Sequence, residues 1–327
     1  MNSDTSSKKS LRMQELARSL ARETWLTSWE LIRITIPVAV ATKILEELGL
    51  ISHLSLVLEP LMAILGLPGA LGLVWATAML TNIYGGIAVF AALLPGLTLT
   101  SAQVTVLCSV ILIAHSLPVE LSVSKRAGAP LLPIAAIRLL GAVVYGALLN
   151  RICLAFDLWQ QPAVLLFKIS AKSDDILQWG IDLGQNLGLI VVVIFLIIVC
   201  MRLLRRIGFL GLLEKILAPV LPFFGMSRNA APITVVGMIM GIGYGGALII
   251  RETATGKLAK DEVFNSMALM GLCHGLVEDT LVLAAIGGKF GGILWGRIVF
   301  SLIVTYLLVR VLRLLAERRI RQAAGGV

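Results

Sequence analysis

The sequence predicts an all-α fold: a polytopic transmembrane helical bundle of two inverted structural repeats with interrupted helices. Three observations lead there. Hydrophobic residues make up 58% of the 327-residue chain and charged residues 14%, and the mean hydropathy is +0.93, which lies outside the soluble class. Apolar stretches of about 20 residues, the length a helix needs to cross a bilayer, recur along the chain. The second half also repeats the first at an offset of 159 residues. The formal net charge of +9 would suggest nucleic acid in a soluble protein. Here Lys and Arg sit beside apolar runs, as in cytoplasmic loops, so the expected partner is the lipid bilayer and no nucleic acid.

The elements follow in order. Residues 1–27 are mostly polar and carry Lys8, Lys9, Arg12, Arg18 and Arg22. Without an apolar run or a cleavage site they are no signal peptide, and leucines and alanines at helical spacing predict a cytoplasmic or interfacial amphipathic helix. The first repeat, 28–154, opens with an amphipathic stretch, 28–50, and continues through spans at 69–95, 102–124 and 130–152. An interfacial linker, 155–181, mixes Asp157, Lys168, Lys172, Asp174 and Asp175 with Trp159 and Trp179. The second repeat, 182–314, has spans at 182–204, 230–250, 262–286 and 290–314, and a basic cytoplasmic tail, 315–327, ends the chain. Two shorter stretches, 51–66 and 208–225, are bounded by Gly and Pro and read as half-helices or tilted ones. If they cross, each half makes an odd number of passes and the repeats are inverted; if they re-enter, the repeats are parallel. The inverted version keeps both termini, Lys125, Arg126 and the Arg202–Arg206 cluster cytoplasmic, as the positive-inside rule prefers.

The repeat is carried by scarce residues. At the offset, Gly66 falls on Gly225, His115 on His274, Gly128 on Gly287, Arg138 on Arg297 and Arg151 on Arg310. With a one-residue slip, Tyr84-Gly85-Gly86 falls on Tyr244-Gly245-Gly246. Paired glycines inside an apolar helix let it unwind or let another backbone come close, and transporters built from inverted repeats bind substrate at such breaks. Asn82, Tyr84, Gly85, Gly86, Tyr244, Gly245 and Gly246 are therefore the candidate substrate-binding residues. Small-residue helix packing is the structural alternative.

The second pair of motifs is His115-Ser116-Leu117-Pro118-Val119-Glu120 and His274-Gly275-Leu276-Val277-Glu278-Asp279. In each, a His is followed by a helix breaker, Pro118 or Gly275, and then by a carboxylate. Ionisable groups at membrane depth cost several kcal/mol and are functional candidates by default. His115, Glu120, His274, Glu278 and Asp279 are the candidates for proton or cation coupling, and the same set could hold one metal ion. Arg138 and Arg297 lie well inside apolar spans, so each is expected to pair with a carboxylate of its own half.

Other chemistry is excluded or unsupported. No glycine-rich loop ending in Lys-Ser or Lys-Thr would cradle a nucleotide, no His-Glu-x-x-His helix marks a zinc protease, and no spacing suggests a catalytic triad. Neither an enzyme nor a cofactor is expected. Cys108, Cys153, Cys200 and Cys273 lie in or beside apolar segments without metal or redox spacing and read as small apolar residues.

At the Tyr-Gly-Gly and His-x-Leu pairs, with short helices such as Leu58–Gly66, the chain resembles the nucleoside recognition or Gate-domain superfamily. That group includes segments of concentrative nucleoside transporters, the membrane part of the ferrous-iron transporter and the spore maturation proteins. The resemblance covers about 28–152 and 182–314. It implies a bacterial inner-membrane carrier or channel component for a small polar solute or ion. It does not imply nucleoside binding, and the nucleotide-binding domain of the iron transporter has no counterpart here. A non-transporting assembly subunit, held through the basic N-terminal helix and the linker, is the second expectation. The oligomeric state is open, and a homo-oligomer is compatible with the sequence.

Overall fold

A computed structural model of the chain describes residues 2–94, 97–164, 176–227 and 229–324. The described residues are helical apart from turns, short loops and one isolated antiparallel bridge between Thr100 and Pro162, as expected of an all-α protein. Helix α1 (Asn2–Glu47) is continuous and includes Pro37, so the amphipathic N-terminal segment and the first apolar stretch form one helix. Gly49, at φ 68°, turns the chain, and α2 (Leu50–Ile64) leaves at 98° to the end of α1. The short stretch at 51–66 is thus the second arm of a bent helix pair.

The stretch expected to cross at 69–95 folds back on itself instead. It forms α3 (Leu71–Leu80) and α4 (Ile83–Leu93), and Gly86 of α4 lies against Val74 and Ala78 of α3. At 10 and 11 residues, these helices are each about 15–17 Å long, roughly half a hydrocarbon core. The cause lies at the turn: extended Asn82 accepts a hydrogen bond from the Gly85 amide on Oδ1 at 2.9 Å and starts a new helix there. The stretch at 230–250 does the same. There α10 (Ala230–Met240) and α11 (Ile242–Ala254) meet at Gly241, whose φ of 94° is closed to residues with a side chain, and Gly245 packs on Gly237.

The other candidates are longer. α5 (Ser101–Ile113) and α6 (Leu117–Arg126) run on as one span of 26 residues, interrupted at Ala114–Ser116. α7 (Leu131–Ala155) is unbroken. α8 (Ile176–Arg206) begins inside the expected linker, because its apolar face extends that far. The rest of the linker is tied to the start of α5, where the Ser101 amide donates to Gln161 O at 2.9 Å and the Ala102 amide to Trp159 O at 2.8 Å. Linker residues 165–175 lie outside the described residues. α9 (Phe209–Leu217) and a 3₁₀ turn at Leu221–Phe224 make up the second short stretch. α12 (Lys260–Leu272) and α13 (Glu278–Ala285) flank a break at Cys273–Val277, and a π turn at Gly291–Gly296 leads into α14 (Arg297–Ala324).

The backbone carries the repeat. Eight of the twelve described residues with positive φ fall in pairs 159 apart: Gly49 with Gly208, Gly66 with Gly225, Ser116 with Gly275, and Gly128 with Gly287. The halves are not separable units, however. Leu283 and Phe300 of the second half pack into the first core around Phe90 and Leu107, and Ile134 of the first half packs into the second around Met238 and Leu269. Each half thus completes the other's interior.

Candidate functional site

The two broken spans bring their histidines together. His115 and His274 occupy equivalent positions, yet their Nε2 atoms are 3.3 Å apart and their rings 4.9 Å centre to centre. Equivalent residues of a repeat can touch only where the rotation relating the halves has its axis, so this contact marks the pseudo-twofold centre of the molecule. Both rings are buried, 5% and 1% exposed, in a setting where an unpaired polar group would be costly.

Each imidazole is oriented by its own helix. His115 Nδ1 lies 2.9 Å from Ile111 O and His274 Nδ1 lies 2.8 Å from Met270 O, four residues back in each case. A carbonyl oxygen only accepts, so both Nδ1 atoms carry hydrogen, and each Nε2 faces the centre, a lone pair when its ring is neutral and a donor when it is protonated. The carboxylates close in from the helices beyond the breaks. Glu120 Oε1 is 3.4 Å from His115 Nε2 and 3.2 Å from His274 Nε2, and Asp279 Oδ2 is 3.9 Å from His115 Nε2. Glu120 and Asp279 sit in the first turns of α6 and α13, where a helix N-terminus favours negative charge. They are the equivalent pair at the 159-residue offset; Glu278 is the additional carboxylate of the second half.

A break in a membrane helix frees backbone groups that must find partners inside the protein. At the first break Arg138 partners two of them. Its Nε donates to Ile113 O at 2.9 Å, its Nη2 donates to His115 O at 3.0 Å, and its Nη1 forms an ion pair with Glu120 Oε2. Trp75 Nε1 donates to Ala114 O at 3.2 Å, and the Ser116 amide donates to Ala78 O at 2.9 Å, so α3 braces the break. In the second half the Leu276 amide likewise donates to Met238 O at 3.0 Å. Pro118 is not the breaker. It lies just inside the start of α6, where a missing amide costs nothing, and the interruption falls at Ser116 with φ 46°. Gly275, at φ 57°, does break the chain, and any β-carbon there would run into Asp279.

The arginines differ. Arg138 has the carboxylate partner expected of it. Arg297 donates from Nη1 to Leu112 O at 3.4 Å and from Nη2 to Thr280 Oγ1 at 3.2 Å, with no carboxylate within ion-pair distance among the described residues. A hydroxyl of its own half and a carbonyl of the other take its two Nη groups, while its buried Nε has no hydrogen-bond partner among the described residues, and the Asp279 carboxylate is turned to His115.

The chain is similar to a bacterial membrane protein. The uncharacterized membrane protein YvoD of Bacillus subtilis (strain 168) is 24% identical to it over 283 residues, covering 85% of this chain and 89% of YvoD. No family model matches the chain, and no solved structure matches it. With four helices among the described residues long and apolar enough to cross a membrane, and a fifth if the bent α1–α2 pair counts as one span, this is a multi-pass membrane protein.

The glycine pairs are points of close packing: Gly86 against α3, Gly245 against Gly237 of α10 and Met270 of α12, and Gly246 against Val123 of α6. Asn82 caps α4, and the Tyr244 side chain lies outside the described residues. Tyr84 lines a cavity of about 340 Å³ between α1, α4, α8 and α13, together with Glu278, Glu23, Arg202 and Arg205. Glu278 borders that cavity while the next residue, Asp279, faces the histidines. At its rim Arg202 Nε donates to Glu23 Oε2 at 3.1 Å and Nη1 to Ser19 Oγ at 2.9 Å, joining α1 to α8. Glu23 and Arg202 carry no local signal of this role: they lie 179 residues apart, and each reads as an ordinary solvated charge.

Proposed function

We propose that the protein is a bacterial inner-membrane transport protein, a secondary carrier or channel component with Gate-like halves. It passes a small polar solute or cation through the centre between its two repeats. The observation that carries this reading is the meeting of the two broken spans at His115 and His274, beside a charged cavity whose wall includes the neighbour of a central carboxylate. Broken helices at a pseudo-twofold centre are how many carriers hold their cargo. Ionisable groups kept at membrane depth are otherwise a standing cost. The cavity would be the vestibule, Tyr84 and Glu278 its inner wall, and the Glu23–Arg202 pair a latch at its rim. Both termini would be cytoplasmic.

The test begins with a thermal-stability screen of the detergent-solubilised protein against nucleosides, divalent metals, amino acids and organic acids. A ligand at 100 times its dissociation constant stabilises by about 2.7 kcal/mol, enough to be read as a clear shift. Any class that stabilises is then offered as a radiolabelled compound to proteoliposomes. Uptake by the wild type that falls at least tenfold in Glu278→Gln supports the reading. Absence of both stabilisation and uptake for every class overturns it and favours an assembly subunit.

A further inference from the structure

The central cluster has the donor set and the dimensions of a particular kind of ion site. We propose that His115, His274, Glu120 and Asp279 bind one divalent first-row transition-metal ion of the Zn²⁺ type. This deepens the transport reading and rests on it only for the idea that the ion is cargo; the site itself stands on geometry.

The distances come first. His115 Nε2, His274 Nε2 and Glu120 Oε1 form a triangle with edges of 3.3, 3.4 and 3.2 Å. Zinc binds imidazole nitrogen and carboxylate oxygen at about 2.0–2.1 Å, and two ligands at that length in a tetrahedral arrangement stand about 3.3 Å apart. The three atoms therefore already form one face of such a tetrahedron. Asp279 Oδ2, 3.9 Å from His115 Nε2, is the fourth corner, and it, His115 and His274 offer ligand atoms that all lie within 4.8 Å of one another. A movement of about half an ångström brings it to the tetrahedral edge length from His115, and a further approach to His274 completes the corner.

The protonation pattern points the same way. With both Nδ1 atoms donating to carbonyls, the two Nε2 atoms stand 3.3 Å apart and face Glu120, so in the neutral rings both are free to ligate a cation held between them. Metal-bound histidines characteristically hold their outer N–H on a carbonyl or carboxylate, and ligating carboxylates are themselves hydrogen-bonded. All of this is in place: Ile111 O and Met270 O hold the rings, and Arg138 holds Glu120 by Oε2, leaving Oε1 to face inward. Two imidazoles and two carboxylates suit borderline ions such as Zn²⁺ or Co²⁺. Mg²⁺ and Ca²⁺ ask for six or more oxygens, which this cluster does not supply.

The experiment is direct titration of the metal-free, purified full-length protein with Co²⁺ and Zn²⁺ in detergent. Tetrahedral Co²⁺ absorbs strongly in the visible, so the expected result is a visible band that saturates at one Co²⁺ per chain. One equivalent of Zn²⁺ should bleach it, and a large excess of Mg²⁺ should leave it unchanged. His115→Ala and His274→Ala should each weaken Zn²⁺ binding by at least about 100-fold, beyond the 10–100-fold typical of losing an outer partner. Asp279→Asn guards against misfolding, because it keeps the shape while removing one ligand, and it should weaken binding at least tenfold. Calorimetric Zn²⁺ binding that is absent in the wild type, or equally strong in the double His variant, overturns the proposal. The two readings fail separately. Metal bound but never carried into proteoliposomes would leave the site standing and remove only the idea that the ion is cargo. Uptake of another solute by a protein that ignores Zn²⁺ and Co²⁺ would remove the site and leave the carrier.

Discussion

Glu120 has to serve two neighbours. One oxygen forms the ion pair with Arg138, and the other faces both histidines. Removing one partner of a buried pair leaves an uncompensated charge, at about 3–5 kcal/mol. We therefore expect Arg138→Met to lower stability by about that amount, because the Ile113 and His115 carbonyls lose their donor as well. Glu120→Gln should cost less than Arg138→Met, since the guanidinium keeps both carbonyls. The double variant should cost clearly less than the two singles added together, because the pair's desolvation is then avoided. Reversible unfolding in mixed detergent micelles reads all three. Strict additivity would mean that the two residues do not act as a unit.

Among the helices, the decisive feature is where each one is interrupted. The hairpin at α3–α4 depends on the Asn82 cap, and the hairpin at α10–α11 on the conformation of Gly241. Loss of an N-cap side chain costs about 1 kcal/mol, so Asn82→Ala should lower stability by that much and Asn82→Ser should recover most of it. Gly241→Ala forces a side chain into a φ of 94°, at about 1–2 kcal/mol, with no side-chain bond to recover it. Thermal melts of the three variants in one detergent check the order. Asn82→Ala indistinguishable from wild type would mean that tertiary packing of the hairpin, rather than its cap, sets the turn.

For the molecule as a whole the open quantity is the direction of each half in the membrane. The expected crossing of five stretches per half does not survive the folding back of 69–95 and 230–250. With those stretches re-entrant and α1–α2 acting as one bent span, the first half crosses three times; we propose that α8, the broken α12–α13 pair and α14 give the second half three as well, which keeps the halves inverted. We predict that a cysteine replacing exposed Arg126 is labelled by an impermeant maleimide only after the cells are opened, whereas Gln161→Cys is labelled in intact cells. The starting protein would have its native cysteines replaced first, of which Cys108, Cys153 and Cys273 are buried. Labelling of Arg22→Cys and Gln161→Cys from the same side of the membrane would make the repeats parallel.

The sequence by itself determined the class, the duplication and the chemical cast of the centre. Composition and run length leave only a membrane bundle, and scarce residues such as His115 and His274 stand out against a Leu- and Gly-rich background. The breaks were legible for the same reason, since Gly and Pro interrupt apolar helices. Their shape was not. A re-entrant hairpin and a straight span have the same hydropathy, and whether the chain turns depends on a cap or one φ angle at Asn82 or Gly241. Pro118 looked like the breaker because proline usually is, but its position within the helix decides that, and only the fold sets the position. The contact between the two histidines, the split between Arg138 and Arg297, and the meeting of Glu23 with Arg202 all join residues far apart in the chain. Such contacts follow from how the two halves interlock, and local sequence carries no free-energy term that would reveal them.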